Sequence, residues 1–338
     1  MNKAITSTVC TTLAGFAIAL YSAQAQPTEA ILDRVVERKL AQLAGPVPAH
    51  YSVGAEERAL KLQADIVEMN AFFYKKLGVQ SDVTLAVLNR SDWIALAGEP
   101  FGLPFISDRP SVIFLPAESG GLAFTLIMAR KEAIPIAVLN SFIKSTEKTY
   151  DTAADTFVDI IGFHELGHAL SANYGISYRH CRWLNEFVAS YFAYAFISER
   201  RPDAKQVFEL CGRPSKVRPG NTTLADFERL YDRVDDYGWY QGMFEIRVQE
   251  LYSHMGLRFL EDLKAKFPSK SESKEPPEMV VEKMESIAPG FQAWAKDFEL
   301  SSVTNSAANQ PAQRNPGSRP VSTDSPASET PSAPAPRG

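Results

Sequence analysis

The chain has 338 residues, 45% of them apolar and 22% charged, and a net charge of −5. That balance excludes a disordered chain and implies a protein that buries a sizeable core. No basic block and no interleaving of aromatic with basic residues points to nucleic acid, which is therefore not expected as a partner.

The N-terminus reads as a signal peptide over residues 1–25. Lys3 supplies a short positive start, Ala4 to Leu20 carries no charge, and Ala23-Gln24-Ala25 gives the small-x-small cleavage pattern. Thr6, Ser7, Thr8, Thr11 and Thr12 dilute the apolar run, which is short for an anchor of ~20 residues. No later segment is apolar enough to span a bilayer, so no stable membrane span is expected after cleavage. The expectation is a secreted or periplasmic protein beginning near Gln26. Outside the reducing cytoplasm, Cys181 and Cys211 are expected to pair in an intramolecular disulfide.

Residues 26–300 read as one domain with two lobes, the first running to about residue 150. Helices are expected over 28–44 and 55–77, broken by Gly45-Pro46-Val47-Pro48. Val83 to Leu88 has strand length, and Ser91-Asp92 can cap a short helix through Ala97. Ser111 to Leu115 and Leu122 to Ala129 read as two strands around the Gly120-Gly121 turn. Residues 133–143 are ambiguous, with Pro135 arguing against a regular helix. Helices follow at 155–173, 182–200, 222–235, 240–266 and 277–287, with a short one near 291–298. Residues 301–338 hold seven prolines and no aromatic residue, and are expected to form a disordered tail rich in Pro, Ser and Ala. Helices, a small sheet and more helices make an α+β class.

Chemistry concentrates in His164-Glu165-Leu166-Gly167-His168. Residues four apart share a helix face, so both imidazoles can reach one ion, while Glu165 is offset and free for another role. Phe157, Ile161, His164 and His168 form one stripe, and Val158, Ile160, Phe163, Leu166 and Leu170 make the rest of the helix apolar. Such a helix is a buried one. Burying two imidazoles and a carboxylate without partners would cost several kcal/mol, which a metal would offset. A third ligand is expected from Glu186, the only charge on a face shared with Ala189, Ser190, Ala193 and Ile197. Those small residues would let the second helix approach the first closely. His180 and Cys181 are the other candidates.

His164, Glu165, His168 and the later Asn185-Glu186 resemble the gluzincin arrangement of zincin metallopeptidases, shared by thermolysin-like peptidases and zinc aminopeptidases. The resemblance covers roughly residues 155–200. It implies a zincin-like fold, with a small mixed sheet, an active-site helix and a mainly helical C-terminal lobe. It also implies Zn²⁺ held by His164, His168 and Glu186, with Glu165 as general base. Thermolysin-like enzymes carry an aspartate four residues after the ligand glutamate, supporting a ligand histidine. Ser190 stands there in this chain, so Asn185 or Asp159 is considered for that support. The family's cleft is lined by an edge strand, for which Ser111–Leu115 or Leu122–Thr125 is available.

The expected reaction is zinc-dependent hydrolysis of a peptide or protein substrate, with Glu165 moving the proton. A second donor to the oxyanion is expected from Tyr240, with His254, Tyr174 and His180 as alternatives. The competing expectations are a catalytically inactive zinc-binding structural or interaction module of the cell envelope and a binding protein for the zinc ion itself. An intact Glu165 argues against the inactive module, because a structural site needs only ligands.

Overall fold

The computed structural model describes residues 29–298 except 99, 109–110, 177, 179, 215–219, 221, 232–236 and 268–276. The expected signal peptide and the tail from 301 lie outside the described residues. No described helix is long and apolar enough to cross a membrane.

The class is α+β, with a small mixed five-stranded sheet and a majority of helix. The first helix, α1 (Glu29–Glu37), is shorter than expected. Lys39 takes a positive φ of 54°, which ends the helix. The chain then forms β1 (Ala41–Leu43) and β2 (Ala49–Tyr51), an antiparallel pair around Gly45 to Pro48 that is too short to register as a pattern. Helix α2 (Glu56–Leu77) buries Ala59, Leu62, Ile66, Met69, Phe72 and Phe73, a spacing of one helical face. Gly78 closes it in the left-handed conformation, donating to the Phe73 and Tyr74 carbonyls. Strand β3 (Thr84–Leu88) leads into α3 (Arg90–Ala97), which Asn89 caps through the Asp92 N–H. Strands β4 (Phe105–Asp108) and β5 (Ser111–Pro116) complete the sheet.

The sheet order is β1-β2-β3-β5-β4, with β2, β3 and β5 parallel and the two outer strands antiparallel to their neighbours. Alternation along the strands splits the core. Leu85, Val87, Ile113 and Leu115 face the main helical core, whereas Ala86, Leu88, Val112 and Phe114 face Trp93 and Val35. The edge strand on the side of the HELGH helix is β4. Ser111–Leu115 is interior to the sheet, and Leu122–Thr125 is not a strand.

The segment expected as a strand at 122–129 is helix α4 (Leu122–Ala129). Its apolar run lacks alternation, and length alone could not separate strand from buried helix. The buried positions Ala123 and Ile127 are four apart, a helical spacing. Helix α5 (Ile136–Thr146) occupies the ambiguous region, with Pro135 at its N-cap rather than inside it. A proline there forfeits no helical hydrogen bond.

Helix α6 (Tyr150–Tyr174) carries the HELGH segment and starts earlier than expected, where the Thr149 side chain accepts from the Thr152 N–H. Helix α7 (Arg182–Arg200) spans the expected residues. Then come α8 (Pro202–Cys211), α9 (Leu224–Leu230), α10 (Tyr237–Met255), α11 (Arg258–Lys266), α12 (Pro277–Ile287) and α13 at 291–298. The helix expected over 240–266 is two, because Gly256 takes a φ of +54° and turns the chain.

Helices α6 and α7 touch backbone to backbone. A Cβ on Gly167 would stand 2.5 Å from the Ala189 carbonyl oxygen and 3.0 Å from its Cα. The small residues expected on the α7 face therefore serve this close approach.

Cys181 and Cys211 are not paired; both are free, buried thiols. Cys181 sits at the N-cap of α7 beside Glu228, and Cys211 ends α8 beside Tyr150. Burial raises both thiol pKa values, that of Cys211 to about 12. The expected disulfide is corrected on this point: an even cysteine count carries no information on distance.

Two measurements check this packing. Denatured, unreduced protein starting near Gln26 should titrate two thiols per chain with a thiol reagent; zero would restore the disulfide. Gly167→Ala should lower stability by about 1–3 kcal/mol, read as a shift in the urea midpoint. An unchanged midpoint would mean that the two helices do not meet at Gly167.

Candidate metal centre

One turn of α6 sets His164 beside His168, with ring centroids 4.7 Å apart and planes at 87°. Glu186, from the second turn of α7, brings its Oε2 to 3.2 Å from His164 Nε2 and 3.7 Å from His168 Nε2. The three donor atoms lie within 4.8 Å of one another, and these residues form a group that could hold a metal ion. Neither His180 nor Cys181 belongs to it.

The chemistry of this donor set fits a cation. His164 Nδ1 lies 3.0 Å from Ser190 Oγ. With the Nδ1 proton donated there, Nε2 presents a lone pair toward a carboxylate oxygen. Two acceptors so placed repel each other unless a proton or a cation lies between them. Two nitrogens and a carboxylate oxygen are ordinary ligands for zinc.

Ser190 thus occupies the orienting position that the sequence left open. The alternatives considered for it do not. Asn185 clamps the backbone of Tyr178, accepting from its N–H at 2.8 Å and donating to its carbonyl at 3.0 Å. Asp159 pairs with Arg58 at 2.6 Å and Lys61 at 2.7 Å.

Glu186 is 4% exposed and densely partnered. Tyr231 donates to its Oε1 at 2.5 Å. Tyr237 and Gln241 donate to Oε2 at 2.6 and 2.8 Å, and Gln241 also donates to the Tyr237 hydroxyl at 2.7 Å. Burial alone would raise the Glu186 pKa, but the two imidazoles and the Tyr231 hydroxyl outweigh it and hold the carboxyl well below the usual range.

Glu165, next to His164 in the chain, is also buried. Desolvation pushes its pKa up to about 8; His164 and the Ile106 backbone on β4 oppose the shift, and Glu186 adds to it. The edge strand and the candidate proton carrier therefore meet at Ile106.

The structure corrects the tyrosine assignment. Tyr240 is fully buried, its hydroxyl donates to the Thr223 carbonyl at 3.1 Å, and its ring packs among Phe227, Trp239 and Phe298. It is a core residue, and the tyrosines at the centre are Tyr231 and Tyr237. Tyr237, Gln241 and Glu245 recur every four residues along one face of α10, a stripe that is visible once the helix is started at 237 rather than 240. Tyr231 had no such signal among twelve tyrosines. Of the alternative donors, His254 is bonded to Ser253 and Tyr174 lies under Lys264.

Behind the centre lies Glu245, 7% exposed, with Oε2 lacking a hydrogen-bond partner. Gly212 leaves room for it, since a Cβ there would fall 2.0 Å from that oxygen. No family model, curated protein or solved structure matches this chain.

Desolvation pushes the Glu245 pKa from 4.5 up to about 8, with Arg130 and His164 opposing. Between those values the unfolded carboxyl is ionised while the folded one keeps its proton. The folded state then binds more protons, so stability falls as pH rises, by up to roughly 1.4 kcal/mol per pH unit. Glu245→Gln removes this dependence. In chelator-treated protein the variant should gain stability over wild type as pH rises across that window, in urea titrations at several pH values. A wild-type advantage that grows with pH would show that Glu245 is ionised and paired.

Proposed function

We propose that the protein is a zinc-dependent peptide hydrolase of the zincin type, acting outside the cytoplasm. The observation that carries this reading is the convergence of one donor atom each from His164, His168 and Glu186 within 4.8 Å, Glu186 Oε2 lying 3.2 and 3.7 Å from the two Nε2 atoms, with a buried Glu165 beside them and against an edge strand. A structural metal site needs the three ligands but not the additional carboxylate.

Zinc held by these three residues supplies a Lewis acid for the carbonyl under attack. Glu165 takes the proton of the attacking water on its carboxylate and returns it to the leaving amine nitrogen. Its burial keeps bulk water from competing for that proton and favours the protonated form in which it acts as an acid. Strand β4 is last in the sheet order among the described residues and its Ile106 backbone bonds Glu165, so an extended peptide lying along this strand would reach Glu165. Tyr237, whose hydroxyl donates to Glu186 Oε2 at 2.6 Å, takes the oxyanion-donor role first expected of Tyr240 by turning that one proton from Oε2 to the oxyanion.

Glu165→Gln should retain zinc, measured by elemental analysis, and lose casein cleavage by ~10²–10⁴-fold. His168→Ala should lose the zinc as well. Full activity in Glu165→Gln would remove Glu165 from the mechanism. A zinc-loaded wild type that cleaves no peptide in a broad panel would sink the peptidase reading.

A further inference from the structure

The carboxylate of Glu186 is oriented by groups far from it in the chain. Tyr231 closes α9 and holds Oε1, while Gln241 on α10 holds Oε2 directly and through Tyr237. With Oε1 engaged by Tyr231, Oε2 is the oxygen that faces both imidazoles. A glutamate side chain has rotamer freedom that must be lost before it can serve as a ligand, at an entropic cost. Here that ordering is done by partners on α9 and α10, in advance of any ion.

The first turns of α10 are themselves seated without slack. Arg130, one residue past α4, donates to the Cys211 carbonyl at 3.0 Å and the Gly238 carbonyl at 2.8 Å. Gly238 has no side chain where one would meet Arg130 Nη2 at 2.6 Å, and Gly242 packs against Pro214, where a Cβ would lie 2.5 Å from its nitrogen. Arg130 therefore pins the turn between Tyr237 and Gln241 to the end of α8.

We infer that Tyr231, Gln241 and Arg130 are positioning residues of the metal centre, forming a cap from α9 and α10 that fixes the Glu186 carboxylate toward His164 and His168. The two ligand-bearing helices place the atoms near one another, and the cap decides which carboxylate oxygen is offered. This inference rests on the zinc reading above, and it goes beyond that reading by naming what retains the ion.

The test is zinc affinity by competition with a chromogenic chelator, on the full chain, with melting temperatures of the metal-free proteins alongside. Tyr231→Phe and Gln241→Leu should each weaken zinc binding by ~10-fold or more, the usual effect of losing a partner that orients a ligand. Arg130→Lys, too short and single-headed to bridge both carbonyls, should weaken it by a smaller factor. Tyr240→Phe is the control, because it also removes one tyrosine hydroxyl bond from α10 but faces the core; its zinc affinity should stay near that of wild type. The cap is overturned if wild type binds zinc and Tyr231→Phe and Gln241→Leu retain it as well as Tyr240→Phe does. It is equally overturned if their losses merely follow lowered melting temperatures. Absence of zinc binding by wild type overturns the zinc reading and the cap together.

Discussion

The close crossing of α6 and α7 at Gly167 and Ala189 is the contact on which the rest of the site depends. Gly167 lies between His164 and His168 on α6, and Ala189 lies between Glu186 and Ser190 on α7. Bringing these two backbones together delivers Glu186 to the Nε2 atoms of both histidines and Ser190 to the Nδ1 of one of them. A larger residue at the crossing would separate the helices and pull both contacts apart. Packing and the chemistry of the site are thus consequences of one missing side chain.

The site is also a polar island in an apolar core. Trp183, Phe187 and Phe192 are fully buried on the same helix as Glu186, so every charge there loses its water. The three buried carboxylates meet that cost differently. Glu186 gathers three donors and two imidazoles, which keep it ionised. Glu165 is drawn toward its protonated form by burial. Glu245 leaves one oxygen without a hydrogen bond. The same exclusion of water strengthens the electrostatic interactions that remain. That asymmetry sets two neighbouring buried carboxylates apart in charge state, Glu186 held ionised and Glu165 drawn toward its protonated form.

Much of the helical framework was legible from periodicity. The bounds of α7 and the C-terminal end of α2 match the ranges expected from the apolar spacing, 182–200 and 55–77. The strands were harder. Phe105–Asp108 is four residues long and Ala41–Leu43 is three, too short for alternation to register, and their pairing energy comes from partner strands. Leu122–Ala129 failed for the opposite reason, being apolar at every position but one. Such a run carries no period by which strand and helix differ.

The sequence by itself determined the HELGH face of α6 and the lone charge on the small-residue face of α7, because both follow from the 3.6-residue repeat within a single helix. Only the tertiary structure decided that Ser190 supports His164 and that Tyr231 and Tyr237, rather than Tyr240, reach Glu186. It also decided that β4 forms the edge and that the cysteines stay apart. Each of these depends on how elements distant in the chain are placed against one another. Local propensity does not encode that placement; close packing at a few positions such as Gly167, Gly238 and Gly242 sets it.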